Sequence, residues 1–122
     1  MMEHERWEPD QTRLAVYARQ GGLCALCWNP VRIEDMEAHH RLKRALMPKG
    51  ALWCPCTIVG LHRRCHTMGP QAVHDHPEMA RERLLILTGN QDPREVPIQI
   101  EWPWHGPGVL LCNGDVGSTL GD

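Results

Sequence analysis

Over residues 10–20, the apolar residues Leu14, Tyr17 and Ala18 recur at helical spacing, Asp10 can cap the start and Gly21-Gly22 supplies a stop. The pattern predicts a short amphipathic helix there. Cys24-Ala25-Leu26-Cys27 then leads into the turn pair Asn29-Pro30. Residues 36–40 read as a short strand. Residues 46–56 carry Pro48, Gly50 and Pro55, so they read as a loop leading into Ile58-Val59-Gly60-Leu61, a β-branched run suited to a second strand. A helical turn carrying residues 63–66 follows, interrupted by Gly69-Pro70. A second helix is expected to start at Pro77 and continue through Met79, Ala80, Leu84 and Leu85. Residues 96–100 and 109–112 read as strands separated by a loop over 102–107, and the tail with Gly114, Gly117 and Gly121 is expected to fray. Beyond Thr88 no chemistry is expected. The pattern divides the chain into an N-terminal helical arm (1–22), a core (23–88) and a C-terminal strand and loop extension (89–122), an α+β arrangement with a β-hairpin-like end.

Composition sharpens this picture. A chain of 122 residues suits one domain, and with no Phe, one Tyr and five Trp its core must be mainly aliphatic and modest in size. Small domains often add a metal or disulfides, because burial alone scarcely offsets chain entropy. Six Cys and eight His favour metal. No segment approaches the roughly 18 apolar residues of a membrane span, and Glu3, His4, Glu5 and Arg6 lack a signal peptide's apolar stretch. The expectation is a soluble, cytoplasmic protein with no membrane partner, whose reduced cysteines serve as ligands. The net charge of −2 hides an asymmetry. Between Ala38 and His66 lie Arg41, Lys43, Arg44, Lys49, Arg63 and Arg64 with no acidic residue among them, which suits a phosphate-bearing partner.

Two close pairs of soft or borderline ligands are the recurrent framework of a structural zinc site, and Cys24-x2-Cys27 with His62-x2-Cys65 supplies both. Cys54 or Cys56 is an alternative to His62 if the loop folds back. His39 and His40 are neighbours on the first strand, so they point to opposite faces and must do different things. One can ligate a metal while the other faces a water, the two roles that phosphodiester hydrolysis needs. His66 follows a zinc-ligand candidate, and a turn could bring His74 or His76 back toward it.

The order Cys-x2-Cys, His-His-Arg, a loop, Ile-Val-x-Leu and then x-Cys-His over roughly 13–80 resembles the HNH endonuclease family, most closely short HNH proteins of phages and their actinobacterial hosts. The resemblance implies a zinc-stabilised ββα-metal (His-Me finger) domain that hydrolyses DNA with a divalent ion (Mg2+, Mn2+, Ni2+ or Zn2+). By position, His40 would be the general base, His39 and His66 ligands of the catalytic ion, His74 a candidate third ligand, and Arg41 and Arg44 phosphate clamps. The family's central Asn falls on Thr57, which is expected to help through its hydroxyl or to orient His40 through its backbone carbonyl. His62 stands where a cysteine is usual, which still makes a Cys3His zinc site. The resemblance also suggests a protein partner in a phage packaging or DNA-processing complex; oligomeric state stays open. Two alternatives stand beside it: a zinc-stabilised nucleic-acid-binding module without catalysis, and a structural zinc domain using the Trp- and Pro-rich loop over 102–107 as a contact surface.

Overall fold

A computed structural model describes residues 6–47, 51–68, 72–101 and 103–118. Helix α1, Pro9–Arg19, begins at Glu8, whose amide donates to Gln11 Oε1 at 3.0 Å; Asp10, expected to cap, lies in the first turn. The shift has a simple cause, since Pro9 has no amide hydrogen and fits the first helical position. The buried face also differs from expectation. It is formed by Thr12, Val16 and Arg19, whereas Leu14 is 62% exposed and Ala18 is exposed. Polar anchoring explains this: Thr12 Oγ1 donates to the Trp53 carbonyl, and the Arg19 guanidinium donates to the Pro55 and Ile58 carbonyls. Gly21 and Gly22, at φ 64° and 75°, turn the chain out of the helix as the sequence implied.

Strands β1, Glu37–His40, and β2, Ile58–Leu61, form an antiparallel pair in which His39 opposes Val59 and His40 opposes Ile58. β2 is buried along its whole length. Ile58 packs with Val16, Val31 and Met36 beneath α1, while Val59 and Leu61 enter the larger core with Leu85, Ile98, Ile100 and Leu110. Gly60 leaves room for Met36, whose sulfur would lie 2.2 Å from an added Cβ, and the Gln20 amide pairs with both backbone groups of Gly60. After β2 comes a π-turn, Arg64–Met68, then a 3-10 turn, Val73–Asp75, and helix α2, Pro77–Glu82. The expected continuation of α2 to Leu85 does not occur, because Leu84 adopts φ 60° and turns the chain. That turn aims the carbonyls of Leu84 and Leu85 at Arg41 and His39.

The C-terminal part is a three-stranded antiparallel sheet, β3 (Ile98–Ile100), β4 (Gly106–Leu110) and β5 (Val116–Gly117), in the order β3-β4-β5. Two expectations change here. Gly106 and Pro107 belong to β4 instead of the preceding loop, and Val116–Gly117, read as fraying tail, pairs with Val109 and Leu110. Pro48, Gly50, the Gly69-Pro70 interruption, Trp102 and Gly121 lie outside the described residues. The described residues thus form a small α+β protein with short helices and two small antiparallel sheets. Among the described residues no helix is long and apolar enough to cross a membrane.

Arg41, expected to clamp phosphate, is 1% exposed and serves the fold. Its Nε, Nη1 and Nη2 donate to the carbonyls of Leu84, Pro93 and Val96 at 2.9, 3.3 and 2.9 Å, and its own carbonyl accepts from the Leu87 amide at 2.7 Å. A guanidinium spreads its donors in a fixed planar fork, which is why one side chain can tie three carbonyls of the 84–96 segment to the end of β1. Arg41→Met keeps much of the volume but orphans those carbonyls. The variant is expected to lose about 2 to 4 kcal/mol in urea denaturation, and Arg41→Lys is expected to recover less than half of it.

Candidate metal centres

The first cluster joins the turn after α1 to the end of β2. The Cys24 amide donates to the Asn29 carbonyl and the Trp28 amide to the Cys24 carbonyl, both at 2.9 Å, and Trp28 sits at φ 57°, so the chain closes on itself and turns both thiols inward. The ligand atoms of Cys24, Cys27, His62 and Cys65 lie within 4.8 Å of one another and could hold a metal ion such as zinc. That spread suits a tetrahedral shell, whose sulfurs sit about 3.8 Å apart around zinc. The amides of Leu26 and His62 point at Cys24 Sγ, each at 3.4 Å. His62 Nε2 donates to the Pro30 carbonyl at 2.8 Å, which leaves the Nδ1 lone pair directed at Cys27 Sγ, 3.3 Å away. Burial raises the Cys27 thiol, but the Asn29 backbone and the groups of Cys24, Cys65 and His62 outweigh it and bring it to about 6. Cys65 is pushed up to about 12, by burial first and then by Cys24 and Cys27. Cys65 thus keeps at neutral pH a proton that a cation would displace. Cys54 and Cys56 do not take the place of His62; they meet Cys112 elsewhere.

The second cluster is made of imidazoles. His39, His66 and His74 present nitrogens within 4.8 Å of one another and could hold a metal ion. Their ring centroids stand 5.2 Å (His39 to His66), 6.0 Å (His39 to His74) and 4.5 Å (His66 to His74) apart. His39 is 5% exposed and donates from Nε2 to the Leu85 carbonyl at 2.6 Å, so its lone pair is on Nδ1. His66 donates from Nδ1 to Glu37 Oε1 at 2.9 Å, so its lone pair is on Nε2. Burial pulls His39 down to about 4, with His66, His74 and His40 adding to the effect against the Leu85 hydrogen bond. Burial likewise lowers His66, against the Glu37 bond. Both rings are therefore neutral at pH 7, the form that binds metal. His74 is exposed and leaves the cluster open on that side.

Glu37 is the residue that sequence reading missed. Strand alternation was the available signal, since a residue two before His39 shares its face. Glu37→Ala is expected to weaken binding of Mn2+, Ni2+ or Zn2+ at the imidazole cluster by roughly 10- to 100-fold in calorimetric titration with the fold intact, the usual cost of losing the group that orients a ligand histidine.

His40 leaves the other face of β1. Its ring meets Trp53 edge-on at 5.2 Å between centroids, and Nε2 donates to the Leu52 carbonyl at 2.9 Å, leaving Nδ1 as an acceptor. Burial lowers its pKa from the usual value, the Leu52 bond opposes this, and Arg44 and His66 add to the lowering. Arg44 is exposed and close enough for its charge to act on His40; Arg63 and Arg64 are exposed as well. Thr57 does not orient His40. It is fully buried, its carbonyl accepts the Arg41 amide at 2.8 Å, and its hydroxyl has no hydrogen-bond partner among the described residues. The Leu52 carbonyl fills the orienting role. No protein-family model, curated protein or solved structure matches this chain.

Proposed function

We propose that the chain is a metal-dependent DNA endonuclease of the HNH type, its finger formed by β1, β2 and the π-turn after them. One observation carries the reading. Consecutive residues of β1 send two imidazoles to opposite faces, each tied through Nε2 to a backbone carbonyl: His39 keeps Nδ1 for the three-histidine cluster through Leu85, and His40 keeps Nδ1 as an acceptor through Leu52. Phosphodiester hydrolysis requires that division of labour.

His39, His66 and His74 would hold the divalent cation, which supplies charge stabilisation for the phosphate and the departing 3′ oxygen when bound. His40 Nδ1 takes a proton from the attacking water, and Leu52 and Trp53 fix the ring so that only one nitrogen is available. Arg44 grips a phosphate oxygen, with Arg63 and Arg64 extending the positive surface. The cluster of Cys24, Cys27, His62 and Cys65 acts as structural zinc site, and the products carry 5′-phosphate and 3′-hydroxyl ends. The test is supercoiled-plasmid cleavage with added Mg2+, Mn2+, Ni2+ or Zn2+ against an EDTA control, with end-group analysis. Ion-dependent nicking supports the reading; 3′-phosphate ends, or cleavage that His40→Ala leaves unchanged, would sink it.

A second reading rests on Thr57, whose unbonded hydroxyl stands where the family has Asn. It is the zinc-stabilised nucleic-acid-binding module without catalysis. Equal DNA binding by wild type and His40→Ala, with no cleavage under any ion, would favour it.

A further inference from the structure

Two arginines are buried without acids. Arg19 is 8% exposed; it donates to the Pro55 and Ile58 carbonyls, and its Nε is buried with no partner. Arg41 is bonded to carbonyls alone. Among the described residues neither guanidinium has a carboxylate partner, whereas Arg94 pairs with Asp92 at 2.9 Å. A buried cation needs a counter-charge, because desolvation is costly unless it is compensated.

The groups nearest to being that counter-charge are sulfurs. Cys54 and Cys56 flank Pro55, are fully buried, and lie with their sulfurs 3.4 Å apart. Cys112, just beyond β4, brings a third sulfur within 4.8 Å of both. As thiolates, Cys56 would act electrostatically on Arg19, Arg41 and Arg94, Cys54 on Arg19, and Cys112 on Arg94. Three thiolates alone would repel one another, but three thiolates around a divalent cation carry one net negative charge, near enough to act on two guanidinium groups that have no carboxylate partner among the described residues.

We propose that Cys54, Cys56 and Cys112 form a second, all-sulfur metal site for a thiophilic d10 cation such as Zn2+. Three S–H groups release their protons to solvent as three sulfur–metal bonds form. The sulfurs are gathered at a spacing a metal shell needs, and a soft ion prefers them to the oxygens nearby. The site would fasten the C-terminal sheet to the turn Pro55–Thr57, against which β4 packs. That turn ends the loop carrying Leu52, so the clamp also steadies the carbonyl that orients His40. The metal site itself does not depend on the nuclease reading.

Cadmium substitution tests it, because 113Cd resonances of sulfur-rich sites fall far from those of imidazole sites. The full chain loaded with 113Cd should give two sulfur-rich signals, one from Cys24, Cys27, His62 and Cys65 and one from the trithiolate. Both should persist in His39→Ala/His66→Ala, and Cys112→Ser should remove one. A single sulfur-rich signal in the wild type overturns the proposal, and this result needs no variant to fold. A disulfide between Cys54 and Cys56 in protein purified without reductant, seen as a mass two hydrogens lighter, overturns it too.

Discussion

His40→Ala should nick supercoiled plasmid about 10²- to 10⁴-fold more slowly than the wild type at saturating divalent ion, the range a positioned general base contributes. The variant should still fold. The side chain is half-buried, and its loss removes one hydrogen bond, to the Leu52 carbonyl, and an edge contact with Trp53, which together cost on the order of 1 kcal/mol. Ion affinity at the imidazole cluster should stay within a factor of about 3, because His40 leaves the opposite face of β1 from His39 and neutral imidazole adds little to the field there. The pH profile of the wild type gives an independent check. The proposed mechanism needs neutral His40, and burial lowers its pKa, so the charged form accumulates only at lower pH than in a free imidazole. Activity should therefore hold as pH falls through about 6.5 and decline below it. An acid limb centred above that value, or one that survives in His40→Ala, would assign the base elsewhere.

With the proposed zinc at Cys24, Cys27, His62 and Cys65, stripping that metal or replacing Cys24 with Ala should unfold the protein at room temperature. Structural zinc in a Cys and His shell contributes about 10 to 16 kcal/mol of apparent binding energy, whereas a domain of this size has a net stability of about 5 to 15 kcal/mol. Cys24 and Cys65 are themselves part of the larger core beside Val59 and Leu61, so losing the ion exposes thiols that must repack or repel. The expected result is collapse of the near-ultraviolet circular dichroism of the tryptophans on adding a tight chelator, and its recovery on adding zinc. A chelated protein that keeps its urea midpoint would show that these residues are ordinary buried side chains.

Much of this was legible locally. The spacing of Cys24 and Cys27, and of His62 and Cys65, needs only a tight turn at each pair, and the structure gathers the four residues as the spacing implied. Ile58–Leu61 is the strand its β-branched run suggested, and β1 differs from its expected span by one residue. Alternation along β1 likewise set His39 and His40 on opposite faces. The partners of those two rings were not legible. Leu85 and Leu52 contribute backbone carbonyls, which any residue type could supply, so no side chain advertised them.

By itself, then, the sequence determined the α+β character, the candidate ligand pairs and the histidine strand, because each depends on backbone geometry within a few residues. Tertiary structure decided the rest, where contacts join distant segments. It buried Arg41 against the 84–96 carbonyls instead of leaving it for phosphate, chose Thr12, Val16 and Arg19 as the inner face of α1 over the more apolar Leu14, and set Glu37 against His66. It also carried Cys112 across the molecule to Cys54 and Cys56. A charged or thiol side chain has the same chemistry in every sequence; whether it meets water, a carbonyl or another sulfur is settled only by which surfaces come together when the core closes.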